Sequence, residues 1–502
     1  MSSLLAGSLG AEPTPNALYD CPMGEHDPRS GIDPGRLAAA LDVLAEAQTL
    51  PPDHPDSVAA QRATAKLFKA AKEWRKAERI AAIREADAAV DAATATAAPG
   101  RIDDETRGIP LVSVARGASA GTLERARKCY VCKQKYARVD AFYHQLCPHC
   151  AALHHERREA RTDLGGRRAL LTGGRAKIGM YVALRLLRDG AHTTITTRFP
   201  NDAARRFASM PDSGDWLDRL RVVGIDLRDP AQVVALADSV AERGPLDILI
   251  NNAAQTVRRS PDAYSELIAG EATPLPAGLL PDVAAVGPAV TAHPPLLAGA
   301  LAAAALDPAE LADLSLTARS ADPARVGPGL AIDAGGLIPD RATANSWTQV
   351  VHEVDPVELL EVQLCNQTAP FILISRLRAA MAAAPARRTY VVNVSAMEGV
   401  FGRGYKGPGH PHTNMAKAAL NMLTRTSAGE LAKDGILMTS VDTGWITDER
   451  PHVTKMRLAA EGFHAPLDLV DGAARVYDPI VRGEAGEDLY GCFLKDYRSG
   501  AW

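Results

Sequence analysis

The stretch "RRALLTGGRAKIGMYVALRLLRDGAHTTITTR" (residues 167–198) decides the fold. It opens with a short apolar run, passes through a turn holding Gly173 and Gly179, continues as an amphipathic helix and ends in a run rich in β-branched residues. That order reads as strand, turn, helix and strand, the beginning of a parallel sheet. Glycine at 173 and 179 lets the backbone turn tightly and approach a ligand. A pyrophosphate then fits at the helix N-terminus, where backbone N–H groups are unpaired and the helix dipole is positive. Glycines alone are a weak signal; their place between an apolar strand and an amphipathic helix gives them weight.

Outward from this unit, short apolar strands alternate with amphipathic helices from about residue 165, the pattern of a doubly wound α/β domain over 161–502. A Pro/Ala/Leu-rich stretch at about 257–341, containing "PLPAGLLPDV" and "AHPPLLAGAL", interrupts it. A loop that long without structure is unusual, so it reads as a partly helical insertion. Residues 1–110 read as a helical arm and linker, with helices over 33–48 and 56–97 and the Pro/Gly/acidic linker "TAAPGRIDDETRGIP" ending at 110. Leu67, Ala71, Trp74, Ala77 and Ala81 recur on one helical face, suited to packing, dimerisation or a protein partner.

Residues 111–160 hold "CYVCKQKYARVDAFYHQLCPHC", in which Cys129 and Cys132, then Cys147 and Cys150, form two C-x2-C pairs fourteen residues apart. Two such knuckles turn four thiolates toward one point and complete a tetrahedral S4 site, which suits zinc and leaves no open position for catalysis. His144 and His149 read as surface residues beside this ribbon. The basic residues around it alternate with acids, so a solvated face is expected rather than a nucleic-acid grip.

The chain has 502 residues, 46% hydrophobic and 23% charged, and a formal net charge of -4, which gives no reason to expect nucleic-acid binding. The start, "MSSLLAGSLG", does not read as a secretion signal, and the longest apolar run, "LLAGALAAAAL" (296–306), is too short to span a bilayer. The cytoplasm is the expected compartment.

The 172–179 segment, "TGGRAKIG", is similar to the T-G-x-x-x-G-x-G motif of the short-chain dehydrogenase/reductase family: Thr172, Gly173, Ile178 and Gly179 match, and Lys177 replaces the middle glycine. Further landmarks follow in order: Asp226–Leu227 at the third strand end, Asn252–Ala253 in "NNAA", Asn366 in "VQLCNQTAP", and Thr447 in "VDTGWITDE", where Thr443 replaces a proline. The resemblance implies a Rossmann fold, a small-molecule substrate, assembly into homo-oligomers and a nicotinamide dinucleotide. Arg175, Lys177 and Arg198 stand where family members with basic residues bind a 2′-phosphate, so it implies NADP(H).

The family's catalytic positions are altered. "HPHTNMAK" (410–417) keeps Lys417 but has Thr413 in the tyrosine's place, and "TYVVNVSAMEGVFG" (389–402) has Ala396 in the serine's place, with Ser395 one residue early. On a strand Ser395 then points to the opposite face. Asn366 and Lys417 match; the resemblance implies that Lys417 holds the nicotinamide ribose and favours the proton donor, and that Asn366 supports the lysine or a water. Another acid is expected to serve, His412 first, with His410 and Tyr405 nearby; Thr413 is suited to orienting a substrate or water. Read blandly, His410 and His412 are surface imidazoles in a loop turned by Pro411. Two functions follow: an atypical NADP(H)-dependent oxidoreductase, or a catalytically silent NADP(H)-binding regulator whose ribbon and arm engage a protein partner.

Overall fold

The computed structural model describes residues 31–99, 116–259, 264–287, 343–402, 404, 406–446 and 449–502. Tyr405, Thr447, most of the linker and most of the 257–341 insertion lie outside the described residues. Contacts divide the chain into two units, residues 1–82 and 83–502.

The described residues of the first unit form two helices. The Asp33 side chain accepts from Arg36 N and caps α1 (Pro34–Ala47), whose proline sits in the first turn, where its missing N–H costs nothing. A long α2 (Pro55–Ala92) begins here and ends in the second unit. Leu37, Leu41, Leu67, Phe68 and Trp74 are exposed on these helices.

The second unit opens with an antiparallel ribbon, β1 (Ser119–Lys128) and β2 (Lys135–Asp140), then α3 (Pro148–Glu159). Next come β3 (Arg168–Leu171), α4 (Lys177–Arg188), β4 (His192–Thr197), α5 (Pro200–Ala208), β5 (Leu220–Gly224), α6 (Pro230–Glu242) and β6 (Ile248–Asn251). The insertion supplies α7 (Ser265–Ala272) and β7 (Asp282–Ala285). After it run α8 (Pro356–Gln363), α9 (Ala369–Ala382), β8 (Thr389–Ser395), α10 (Pro411–Leu431) and β9 (Ile436–Asp442). The chain finishes with α11 (His452–Ala460), α12 (Leu469–Glu484), β10 (Phe493–Lys495) and β11 (Arg498–Gly500).

Among the described residues nine strands form one sheet in the order β11-β10-β9-β8-β6-β3-β4-β5-β7, parallel except for the β10–β11 hairpin. From β3 the chain winds outward to β5, then returns to place β6 on the other side of β3. A crevice opens at that reversal, beyond the carboxyl ends of the strands. Helices cover both faces, and each face has its own apolar layer. Leu184, Leu187, Phe207, Val476 and Ile480 of α4, α5 and α12 pack on one. Val233, Leu236, Leu373, Leu377 and Leu431 of α6, α9 and α10 pack on the other. Strands buried on both sides read as continuous apolar runs, as in β8 and β9, where every residue is buried.

The described part of the insertion is helical only in α7. Residues 282–285 instead extend the sheet beside β5, and the four-residue run Asp-Val-Ala-Ala carries too little alternation to announce a strand. Among the described residues no helix is long and apolar enough to cross a membrane.

Candidate active site

At the reversal lies a cavity of about 420 Å³, lined by the β3–α4 turn, the ends of β4, β5 and β6, and Cys365. Thr172, at the end of β3, ties two strand ends together: its hydroxyl accepts from Asn252 N and Ala253 N, both at 3.0 Å. The Asn252 amide donates back to Thr172 O at 3.1 Å and Gly173 O at 3.0 Å. A Cβ at Gly179 would stand 2.0 Å from Gly173 O, so α4 can press on the turn only with glycine there. Among the described residues no side chain bonds the N-cap of α4 at Ala176, and a helix N-terminus favours an anion. Lys177 begins that helix at φ 53°, the left-handed region, which explains why the family motif has glycine at this position.

At the far end of the cavity stand Asp226, Leu227, Arg228, Arg198, Arg175, Arg259 and Tyr264. Arg228 grips Asp226 with Nη2 to Oδ2 at 2.6 Å and reaches Glu361 at 3.0 Å. Burial opposes ionisation of Asp226, but the Arg228 guanidinium overrides it and holds the carboxyl below its ordinary range. Arg175 pairs with Asp202 at 2.5 Å, so part of its charge is answered within the protein. Arg198 donates Nη2 to Tyr264 OH at 3.1 Å, and its guanidinium lies 4.8 Å from that ring's centroid. Arg259 and Tyr264 belong to the insertion and gave no signal in the sequence, because no pattern said where that segment folds.

The two residues that match the family's catalytic positions, Asn366 and Lys417, are buried on two elements and are not among the cavity's lining residues. Asn366 sits in a π-helical turn, Leu364–Thr368, between α8 and α9; such wide turns recur at functional sites. Its amide clasps Gln255 just beyond β6, accepting from Gln255 N at 2.7 Å and donating to Gln255 O at 2.9 Å. Lys417 on α10 is 6% exposed and donates Nζ to Val394 O at 2.8 Å. Burial pulls its pKa down to about 8, while Cys365 and Glu398 hold it up. The Cys365 thiol, pushed up to about 11 chiefly by burial, lies on the cavity wall. A buried relay fixes α10: Asn251 donates to Asn393 Oδ1 at 2.8 Å, Asn393 to Thr424 Oγ1 at 2.9 Å, and Ser440 to Thr424 Oγ1 at 2.8 Å. A Cβ at Gly399 would stand 2.6 Å from the Lys417 carbonyl, so β8's exit and α10 also meet backbone to backbone.

Around Lys417 the structure differs from expectation in two places. Neither histidine is a surface imidazole. His410 stacks on Trp347 with centroids 4.0 Å apart and engages Trp347 O at 2.9 Å, which commits it to a structural contact. His412 is 1% exposed, and burial, with His410 beside it, pushes its pKa down to about 4, away from neutrality. Ser395 shares its strand face with Asn393, which bonds α10, so alternation turns it toward the helix that carries Lys417. The Ser395 and Thr413 hydroxyls and both His412 ring nitrogens are buried without a hydrogen-bond partner among the described residues. Buried polar atoms are rarely left so.

The four cysteine Sγ atoms all lie within 4.8 Å of one another. Four sulfurs at the zinc–thiolate distance stand about 3.8 Å apart, so the cluster fits a tetrahedral metal with slight contraction. His144 is not a surface residue: it is buried, with Nδ1 2.8 Å from Thr96 Oγ1. His149 is exposed. Arg127 of β1 pairs with Asp91 at the end of α2. Ribbon and sheet domain share a buried interface in which Tyr143 OH donates to Asp471 at 2.6 Å and Arg158 pairs with Asp468 at 2.6 Å.

Residues 167–267 match the family model for short chain dehydrogenases. An uncharacterised protein, R665, of Acanthamoeba polyphaga mimivirus is 30% identical over 378 residues, 70% of this chain and 71% of that one. A short-chain type dehydrogenase/reductase of Picea abies is 38% identical over 104 residues, 20% of this chain and 38% of that protein. Among solved structures, a short chain dehydrogenase of Burkholderia cenocepacia in complex with NADP is 19% identical, with 66% of this chain and 98% of that one covered and a TM-score of 0.40. With the family model matched over the β3–α4 turn and the strands beside it, and with Gly173, Ile178, Gly179, Asp226, Leu227, Asn252 and Ala253 lining one cavity there, residues 167–267 belong to the short-chain dehydrogenase/reductase family.

Proposed function

We propose that the protein is an NADP(H)-dependent oxidoreductase that handles its proton without the family's tyrosine. The fit of the cofactor rests on the α4 N-terminus beside the cavity, on the Gly173–Gly179 approach and on the cations among the cavity's lining residues. Gly173, Ile178 and Gly179 would cradle the pyrophosphate with Lys177; Thr172, Asn252 and Ala253 hold that turn in place. Asp226 and Leu227 would border the adenine, and Arg175, Lys177 and Arg198 would answer a 2′-phosphate. Thr447 is carried only by the resemblance. NADP(H), when bound, supplies or takes up the hydride.

The observation that carries the chemistry is a set of buried polar atoms without a partner among the described residues: Ser395 Oγ at the end of β8, and Thr413 Oγ1 and both nitrogens of His412 on α10, the helix of Lys417. A polar substrate group satisfies them where the protein does not. With its pKa near 8, Lys417 Nζ holds a proton at neutral pH and can release it, the property a general acid needs. Asn366 positions Gln255 or a water; His412 stays neutral and offers one donor and one acceptor; Ser395 and Thr413 orient the reacting oxygen. An iminium or an activated alkene also suits the site, since its reduction makes a smaller demand on the acid. The four thiolates of Cys129, Cys132, Cys147 and Cys150 would hold one structural zinc.

The low pKa of His412 and the exchanged tyrosine and serine favour a second reading, a silent NADP(H)-binding regulator with a protein partner on the ribbon or arm. The two separate on a panel of ketones, enones and iminium compounds, followed by NADPH consumption in wild type and Lys417→Ala. Turnover that the substitution abolishes supports the oxidoreductase. Tight NADPH binding with no consumption on any member supports the regulator.

A further inference from the structure

The cysteine ribbon packs against residues that wall the cavity. Cys129, Cys147 and Cys150 belong to one buried apolar cluster with Phe142, Leu146, Ile446, Leu467 and Leu469, against which Ile178 also packs. Ile178 and Leu469 both line the cavity. The packing leaves no slack: a Cβ at Gly472, one turn into α12, would meet Ile446 at 2.3 Å and Ile178 at 3.1 Å. Inside the first knuckle, between Cys129 and Cys132, the Tyr130 hydroxyl accepts a hydrogen bond from Trp445 N at 3.0 Å. Trp445 and Ile446 lie three and four residues beyond β9, and Glu449, three residues further on, lines the cavity.

We propose that the metal-closed ribbon positions the dinucleotide site, with Tyr130 as its contact residue on the segment after β9. Closing the knuckle around a metal fixes Tyr130 and presses the cysteine cluster on Leu469 and Ile178. Opening it frees the Trp445 N–H and loosens one wall of the cavity, so cofactor affinity falls. Core packing transmits such shifts because it has no room to absorb them. The inference rests on the cofactor and zinc readings above and assigns the ribbon a positioning role, not a catalytic one.

The test uses the full chain loaded with zinc. NADPH affinity is measured by fluorescence titration for wild type, for Tyr130→Phe, and for wild type before and after a zinc chelator and again after zinc is restored. Amide hydrogen exchange is followed at Trp445 and Ile446. Tyr130→Phe is expected to keep its zinc, to speed exchange at Trp445, and to weaken NADPH roughly fivefold, the loss set by one neutral hydrogen bond. Chelation is expected to weaken NADPH further and zinc to restore it. Affinity unmoved by both perturbations overturns the inference while leaving the cofactor reading intact. A wild-type protein that binds no NADPH overturns the cofactor reading, and the inference with it.

Discussion

Replacing Lys417 with methionine keeps the shape of the side chain and removes its charge. In the folded protein burial lowers the lysine pKa from 10.5 to about 8, a drop equivalent to roughly 3 kcal/mol of preference for the neutral form. The sign follows from linkage. Below about pH 8 both folded and unfolded chains carry the proton, and the wild type bears the full cost of a buried ammonium. Between pH 8 and 10.5 the folded lysine releases its proton while the unfolded one keeps it, so wild-type stability rises with pH across that window. Methionine has nothing to titrate, though it leaves Val394 O without its donor at a cost of about 1–3 kcal/mol. The two proteins are therefore expected to lie close in stability at pH 7, and the wild type is expected to gain about 3 kcal/mol on Lys417→Met by pH 10. Urea unfolding of both proteins at pH 7, 8.5 and 10 measures the difference directly. Parallel pH profiles would show that Lys417 has its ordinary pKa when folded and would remove it as a general acid.

Other expectations follow from single contacts. Cys147→Ser is expected to lower bound zinc from about one per chain to none and to expose the ribbon to proteolysis; full metal content in the variant would break the S4 assignment. Lys177→Gly relieves a left-handed backbone at a cost-free residue and is expected to raise stability by about 1 kcal/mol while weakening NADPH; a lower Tm would contradict the strain. Gly399→Ala drives a methyl to 2.6 Å from the Lys417 backbone and is expected to cut turnover by displacing α10, with NADPH binding the less affected; unchanged turnover would mean the contact yields.

The glycine turn after β3, the strand ends and the cysteine pairs were legible because each depends on local spacing: Gly173 and Gly179 on one turn, two residues between paired cysteines. Lys417 and Asn366 were legible through their place in a motif. The rest depends on distant contacts. Glu358 and Glu361 look like solvated charges on α8, yet both are buried, Glu361 against Arg228 and Glu358 against Ser346. His410 owes its orientation to Trp347, 63 residues away. No periodicity shows that the Tyr130 hydroxyl meets a segment 315 residues later. Arg259 and Tyr264 reach the cavity from an insertion whose composition said nothing of where it lies.

The most direct measurement is a fluorescence titration of the purified protein with NADPH, with NADH beside it. Tight binding that favours NADPH at least tenfold, and that Arg198→Ala reduces without altering NADH, is expected if the cations at the far end of the cavity read a 2′-phosphate. Equal affinity for the two, or no binding of either, would contradict it.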